Sequence, residues 1–191
     1  MRNLLFISLI TLFVQSCAPL VGTVGMVSLG AASKEKGLGT SINDSLIKTK
    51  ISNLIYKYNK DLIADTKVFV NNGSVLYTGK LNNPNDKIEF TKLAWNIRGV
   101  KEVNNEIQIT DTSSLKNIAR DIASVGEIRA RIMADKSINS INFSIDVVND
   151  TAYISGVANS ELEMNLVKSH ASSARFIKEV YNYIILNKDT R

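Results

Sequence analysis

The sequence predicts an α+β protein with two tandem α-β-β-α-β modules, each a three-stranded sheet packed by two helices. The first observation is a repeat, because residues 97–109 match residues 174–186 at an offset of 77 positions. The second is that apolar residues at helical spacing lie before and after each pair of short segments in which apolar and polar residues alternate. Two helices on one face of a small sheet give both elements a shared core, which is why this architecture is expected.

The first module is predicted at residues 43–110. A helical period through Leu46–Tyr58 follows Asn43 or Asp44 as the candidate cap. Its other elements are a strand–turn–strand pair, a helix that starts with a capping Asn and a Pro, and a third strand: Thr66–Val70, Asn71-Asn72-Gly73, Val75–Gly79, Asn83–Ile97 and Val103–Ile109.

The second module is predicted at residues 116–187. Its first helix has apolar residues at helical spacing from Ile118 to Ile132. Ser160 and Glu163 have the spacing of a capping box at the start of the second helix. The strands are expected at positions equivalent to those of the first module, namely Phe143–Val147, Ala152–Gly156 and Val180–Leu186.

The N-terminus has the features of a secretory signal. Arg2 precedes an apolar run, Leu4–Val14, which is shorter than the roughly 20 residues needed to span a bilayer. Val14-Gln15-Ser16-Cys17 resembles the lipobox of bacterial lipoproteins. That resemblance implies cleavage before Cys17 and acylation of Cys17 with fatty acids such as palmitate. Residues 1–16 are therefore predicted as a signal peptide and residues 17–42 as a lipidated, apolar, Gly-rich tether.

An ordinary signal peptide with an unrelated cysteine is the alternative. Cys17 is the only cysteine in the chain, so no intramolecular disulfide competes for its thiol. Ala18 follows it in place of the aspartate that retains some lipoproteins in the inner membrane. The predicted location is therefore the outer membrane, with the modules in the periplasm.

Both modules resemble the BON domain, a small module of bacterial envelope proteins. The resemblance rests on the glycine that ends the second strand, Gly79 or Gly156, and on the segments Gly99–Asn105 and Phe176–Asn182 that enter the third. With the lipobox and the tether, the chain is similar to outer-membrane lipoproteins associated with division and outer-membrane stress. The resemblance implies binding of anionic phospholipid through the first helix of the second module.

Basic residues on and beside that helix are the predicted lipid-binding residues: Lys116, Arg120, Arg129, Arg131 and Lys136. Three acidic residues in the same segment leave a small positive excess, whereas the alternative is a solvated helix of mixed charge. Some members of the family present an aromatic residue early in this helix. Here the sequence is Asp121-Ile122-Ala123-Ser124, so Ile122 and Val125 are the candidates to enter the membrane, at the expense of the core.

No pattern in the sequence indicates an enzyme or a cofactor. His170 is the only histidine, so a histidine metal cluster or proton relay is excluded, and a partly buried structural imidazole is expected. The net charge of +5 includes no block of basic residues, and residues 111–191 carry ten basic and ten acidic side chains. Nucleic-acid binding is therefore not expected.

The second hypothesis is a periplasmic adapter that binds a protein of outer-membrane assembly or of cell division. In that case Trp95, Tyr181 and Tyr183 are the candidate interface residues, provided that they are exposed. For Trp95 the alternative is packing within the core or between the modules.

Overall fold

The computed structural model describes residues 38–110 and 114–187, with side chains from residue 43 onward. Ala31–Arg191 forms one compact unit that contains both modules. The predicted signal peptide, most of the tether and Cys17 lie outside the described residues. In the part of the chain that the structure describes, no helix is both long enough and apolar enough to cross a membrane.

The first module begins with a long helix and a short 3-10 helix, followed by a hairpin. Its elements are α1 (Leu38–Tyr58), the 3-10 helix Lys60–Ile63, β1 (Thr66–Asn71), β2 (Ser74–Leu81), α2 (Pro84–Trp95), β3 (Glu102–Asn105) and β4 (Gln108–Ile109). Strand β1 is antiparallel to β2, whereas β3 and β4 both run parallel to β2.

The second module repeats this order with an uninterrupted third strand. Its elements are α3 (Leu115–Ala134), the 3-10 helix Ser140–Asn142, β5 (Phe143–Val148), β6 (Thr151–Ala158), α4 (Glu161–Ser172) and β7 (Glu179–Leu186). Strand β6 is antiparallel to β5 and parallel to β7, so the order in the sheet is β5-β6-β7. The predicted fold class is confirmed.

Two details differ from the prediction. Helix α1 already begins at Leu38, so Asn43 and Asp44 lie inside it and cannot be its N-terminal cap. The third strand of the first module is also interrupted, at Glu106 and Ile107. There the amide N–H of Ile107 donates to the side-chain oxygen of Asn105 at 3.3 Å, but Ile184 and Asn182 form the same hydrogen bond in the continuous strand β7, so this bond does not explain the interruption.

Each module has its own core between its helices and one face of its sheet. Ile51 and Ile55 of α1 and Phe90 of α2 are almost fully buried against β1 and β2. Ile128 and Ile132 of α3 and Val167 of α4 are buried in the same way in the second module. The paired residues Ile51/Ile128 and Ile55/Ile132 occupy equivalent positions in the repeat.

The opposite faces of the two sheets pack against each other. Side chains alternate across a strand, so Leu76, Val148 and Tyr153 point away from the helix-covered cores. These three residues are buried together in a third apolar cluster, with Phe69 and Tyr183 packed against it. The compact unit therefore consists of four layers: helices, sheet, sheet and helices.

Polar contacts fix the orientation of the two sheets. The hydroxyl of Thr78 donates to Asp146 at 2.5 Å, and Lys67 forms an ion pair with the same carboxylate. The side-chain amide of Asn71 donates to the hydroxyl of Ser155 at 2.6 Å. Gln108 of the first module accepts a hydrogen bond from the side chain of Asn149 at 2.6 Å.

Equivalent positions of the two copies meet at this interface. Leu76 and Tyr153 occupy equivalent positions and share the apolar cluster. Tyr183 donates a hydrogen bond to Glu106, which occupies the equivalent position in the first module. Residues that meet their own equivalents are typical of a two-fold interface, so the contact between the modules resembles that of a homodimer within one chain.

Candidate lipid-contact surface

Helix α3 is held by its cap and by its buried face. The hydroxyl of Ser114 accepts a hydrogen bond from the amide N–H of Asn117 at 3.1 Å, which satisfies one of the free donors of the first turn. Ile128 and Ile132 pack into the second core. The predicted helix therefore has one face committed to the fold, and its other faces are available for contacts.

A buried carboxylate attaches α3 to the hairpin turn. Asp121 accepts hydrogen bonds from the backbone N–H groups of Asn149 and Asp150 at 3.0 and 3.1 Å. Asp44 does the same in the first module, because it accepts from the N–H groups of Asn72 and Gly73 at 2.9 and 3.0 Å. No local sequence pattern indicates this role, although both carboxylates and both turns obey the 77-residue offset.

Two of the predicted lipid-binding residues are used within the chain. Arg120 lies 3.2 Å from the carboxylate of Asp150, and its guanidinium stacks over the ring of Phe176 with 4.9 Å to the centroid. Arg131 donates to Glu127 at 2.7 Å. This hydrogen bond is the main reason why the pKa of Glu127 is below its usual value. Arg120 and Arg131 therefore stabilise the fold, and their charges are already paired with carboxylates of the same chain.

The other three predicted residues, Lys116, Arg129 and Lys136, are exposed. Within residues 38–110 and 114–187 the structure records no ion pair for any of them. Their charges are therefore available to an external anion, and they form the basic part of the candidate surface.

An apolar stripe runs along the same helix in contact with water. Leu115, Ile122 and Met133 are 85%, 68% and 72% exposed, and Ile118 is exposed as well. Positions 115, 118, 122 and 133 are separated by intervals that return to one face of a helix, and Arg129 lies on that face too. Ile122 is therefore free to contact a membrane without being taken from the core. Val125 is partly buried against the core.

Helix α1 shows no comparable stripe among its described side chains, residues 43–58. Its exposed apolar residues Leu46, Tyr56 and Tyr58 lie on different sides of the helix. Leu46 and Tyr58 belonged to the predicted apolar period, and the structure leaves both outside the core. The hydroxyl of Tyr58 donates to Asp86 of α2 at 2.7 Å.

A groove of about 630 Å³ separates α3 from the first module. Ile118, Ile122 and Val125 line one wall, while Ala64, Asp65 and Lys67 line the other. The ammonium group of Lys80 lies 3.7 Å from Asp121 across this gap. We call it the intermodule groove.

The predicted partner-interface residues have different environments. Trp95 is 53% exposed at the end of α2, so the alternative of core or intermodule packing is excluded for the described residues. Ile88, seven residues earlier on the same face, is 54% exposed. Tyr181 is exposed and stacks on Tyr153, with ring centroids 5.6 Å apart. Tyr183 is partly buried between the modules, where its hydroxyl donates to Glu106, so the fold itself uses this ring.

His170 connects α4 to the end of α3. Its Nε2 atom lies 2.8 Å from a carboxylate oxygen of Asp135, and this hydrogen bond is the main cause that lowers the pKa of Asp135. Among the residues that the structure describes, no group of His, Cys, Asp and Glu side chains is arranged to hold a metal ion.

The sequence was compared with known families and proteins. The BON domain family matches residues 43–111 and 114–188. An uncharacterized protein encoded in the gshII 5' region of Anaplasma centrale is 34% identical over 146 residues, which are 76% of this chain and 95% of that protein. The outer membrane lipoprotein DolP of Haemophilus influenzae is 26% identical and covers 89% of this chain and 88% of its own length.

Two further comparisons are more distant. The osmotically inducible protein Y of Escherichia coli is 24% identical over 76% of this chain and 73% of its own length. A solved structure of CdsD, a structural protein of the type III secretion system of Chlamydia trachomatis, is 14% identical. It covers 73% of this chain and 91% of the solved chain, with a TM-score of 0.31.

Proposed function

This chain is a tandem BON-domain protein of the DolP family, and from that premise we propose that it is a lipid-anchored envelope protein that binds anionic phospholipid through α3. The resemblance of its second half to a BON domain extends over the whole of α3. The relative from Haemophilus influenzae is named an outer membrane lipoprotein, which supports a location in the cell envelope. Acylation of Cys17 and a periplasmic orientation at the outer membrane are part of the proposal.

The apolar stripe of α3 is the observation that carries the lipid-binding proposal. A helix that exposes Leu115, Ile122 and Met133 on one face leaves apolar area in water that the core does not need. Helices of this kind bind membrane interfaces by burying that face at the boundary between headgroups and acyl chains. The three side chains supply apolar area that an aromatic residue early in this helix supplies in some members of the family.

The free cations add attraction to an anionic surface. Each basic residue near such a surface contributes about 1 kcal/mol, so Lys116, Arg129 and Lys136 together contribute about 3 kcal/mol. A contribution of this size corresponds to weak binding when it acts alone. An acyl anchor on Cys17 in the same membrane raises the effective concentration of the surface, so that a weak contact suffices.

Vesicle binding of the fragment Ala31–Arg191 tests the lipid proposal without the acyl anchor. We expect binding to vesicles that contain phosphatidylglycerol and little binding to phosphatidylcholine alone. Ile122→Asp should weaken it most, because it places a charge in the stripe, and Lys116→Glu/Arg129→Glu should weaken it by reversing two charges. Lys48→Glu/Lys50→Glu is the matched control, since both residues are exposed on α1.

The outcomes separate the surface from a general charge effect. Equal loss from the α3 and α1 charge reversals would show that binding follows net charge and not α3. Binding that ignores lipid charge, or no binding at all, would refute the electrostatic part of the proposal. For the anchor, Cys17→Ala is expected to release the full-length protein from membranes, and unchanged membrane association would contradict acylation as the anchor.

A protein adapter is the second candidate, and the face of α2 favours it. Ile88 and Trp95 are exposed there, whereas the equivalent residues of α4 are Asn165 and Ser172. Exposed Trp is common at the centre of protein interfaces. A photo-crosslinking residue at position 95 is expected to give a defined adduct in cells that is lost with Ile88→Asp. A similar adduct from position 172 would contradict a specific site on α2.

A further inference from the structure

The intermodule groove has two walls, and both differ between the copies in the same way. On α3, Ile122 of the groove wall and Arg129 of the apolar stripe's face occupy positions where the first module has Ser45 and Ser52. On the opposite side, the first module has Lys60, Ile63 and Lys67 where the second has Ser137, Ser140 and Ser144. Each copy therefore carries Ile and a cation on the side that borders the groove, where the other copy carries serine.

The first-module residues lie on an exposed segment that ends at the groove. The 3-10 helix Lys60–Ile63 contains no buried residue, and Ile63 is 40% exposed. Ala64 and Asp65, which follow it directly, line the groove together with Lys67. Ile122 and Ile118 line the other side of the same groove. Ile63 itself lines a second hollow, beside α1, together with Lys67. Because Lys67 lines both hollows, the segment around Ile63 lies next to the intermodule groove.

Polar contacts hold the two walls at a fixed separation. Lys67 pairs with Asp146, a carboxylate of the second module that is 1% exposed. Lys80 lies 3.7 Å from Asp121, which in turn accepts from the hairpin turn next to α3. These contacts connect the wall that carries Lys67 to the wall that α3 forms.

We propose that the lipid-contact surface spans both modules, with Lys60 and Ile63 of the first module as its second half. The proposed occupant is the surface of an anionic phospholipid bilayer, which touches both rims of the intermodule groove. This inference rests on the proposed function of α3 and assigns an additional part of the surface.

The charges on the first-module rim decide how it contributes. Asp61 and Asp65 are exposed near Lys57 and Lys60, and Lys67 is paired with Asp146, so the rim has no net charge. Its main contribution is therefore the apolar side chain of Ile63, with Lys60 beside it to contact lipid phosphate. Exposed apolar residues next to lysines are typical of protein segments that lie in a membrane interface.

The repeat itself supplies the test variants. Lys60→Ser/Ile63→Ser introduces the residues that the second module has at these positions and is expected to weaken binding of Ala31–Arg191 to phosphatidylglycerol vesicles about fivefold. Ile88→Asn/Lys92→Ser also introduces the residues of the second module, Asn165 and Ser169, but on α2. This control is expected to change binding less than twofold, and both variants should keep the unfolding temperature of the parent.

A probe at single positions gives a second readout. Cys17 is the only cysteine of the chain, so Ala31–Arg191 accepts one engineered thiol without competition. An environment-sensitive fluorophore on Ile63→Cys and on Ile122→Cys is expected to shift to shorter wavelength when vesicles are added, whereas one on Ile88→Cys should not. A shift at position 122 alone would overturn the two-module surface and leave α3 as the lipid site.

The remaining outcomes are equally decisive. No shift at either position 63 or position 122 would refute both the two-module surface and the proposed function. Unchanged vesicle binding of Lys60→Ser/Ile63→Ser together with a loss of function in cells would indicate a protein partner on this rim, and it would overturn the bilayer as occupant.

Discussion

Helices α1 and α3 occupy equivalent positions, but only their inner sides are alike. Both insert two isoleucines into a core, and both carry a buried aspartate that binds the N–H groups of a hairpin turn. Their outer sides differ, because the apolar stripe of α3 includes Ile118 and Ile122, where the sequence of α1 has Ser41 and Ser45. The comparison teaches that the duplication preserved the contacts that make the fold and that the copies diverged where they meet their surroundings.

The cores also show how one copy compensated for a change in packing. In the first module, a Cβ atom at Gly99 would lie 3.2 Å from the side chain of Ile47. In the second module these two positions hold Phe176 and Ser124, so the larger residue has moved from the helix to the loop. Arg120 then stacks on the ring of Phe176. The loop of the second module is thereby linked to α3, the helix of the candidate surface.

The largest expected effect concerns the paired glycines Gly79 and Gly156. A Cβ atom at Gly79 would lie 2.1 Å from the backbone oxygen of Asp65, and one at Gly156 would lie 2.3 Å from that of Asn142. Asp65 and Asn142 are again equivalent positions. Alanine at either site should therefore lower the free energy of unfolding by about 3 kcal/mol or more in urea denaturation.

The two glycines also differ in backbone conformation. Gly79 has a φ of +121°, which alanine adopts only with strain, so Gly79→Ala should be the more damaging of the two. Gly126 of α3 is the control, since nothing lies within 4 Å of a Cβ atom there. Gly126→Ala should stabilise by about 0.5 to 1 kcal/mol. A tolerated alanine at both position 79 and position 156 would contradict the close backbone approach.

The next effect concerns the aspartates that hold the hairpin turns. Asp44→Ala and Asp121→Ala each leave two backbone N–H groups of a turn without their carboxylate acceptor. We expect each variant to lose about 2 kcal/mol of unfolding free energy in urea denaturation. Similar losses of unfolding free energy would show that the two aspartates stabilise their modules equally, as their equivalent hydrogen bonds predict.

Asparagine variants provide the control for charge. Asp44→Asn and Asp121→Asn keep one oxygen acceptor, so each should cost less than the alanine variant. A loss below about 0.5 kcal/mol for one of the alanine variants would show that the corresponding turn is held by other contacts.

Most of the fold could be predicted from the sequence because the repeat and the local signals agree. The hairpin turns and the caps at Asn83 and Ser160 appear in the structure, and the predicted helices are present, although some residues of their apolar periods lie outside the cores. The stacking of the two sheets could not be predicted. Leu76 and Tyr153 are buried between the sheets, but their sequence pattern does not show which part of the protein covers them. In the structure, the near-continuous burial of β2 and β6 shows that both sheets are covered on two sides.

The candidate site was predicted less completely, because the sequence does not show which basic side chains form ion pairs within the chain. Sequence position alone could not separate Arg120 and Arg131, which have acidic partners, from the exposed Lys116 and Arg129. Arg131 and Glu127 are four residues apart on one helix, a spacing that favours an ion pair and could have excluded Arg131. The partner of Arg120 comes from the hairpin turn, which only the tertiary structure brings close.

The smallest expected effect concerns the contact between equivalent positions, Tyr183 and Glu106. Tyr183→Phe removes the hydrogen bond between the modules and leaves the ring in the apolar cluster. We expect a loss of about 1 kcal/mol in unfolding free energy at pH 7. Glu106→Gln, which keeps an oxygen acceptor but removes the charge, should cost less. An equal or greater loss from Glu106→Gln would show that the charge of Glu106 contributes more to stability than the hydroxyl of Tyr183.

The pH dependence of this contact gives a sharper test than its size. Burial, and then the hydrogen bond to Glu106, raise the pKa of Tyr183 above its ordinary value of 10.0. A phenol whose pKa is raised by folding stabilises the protein fully below pH 10, and that contribution is lost as the pH rises toward the pKa of the folded state. The pKa values of Tyr77 and Tyr153 are raised too, so the parent and Tyr183→Phe should both lose stability above pH 10. The parent should lose it more steeply, and parallel curves from pH 9 to pH 11 would contradict a protonated Tyr183 as the donor that joins the two modules.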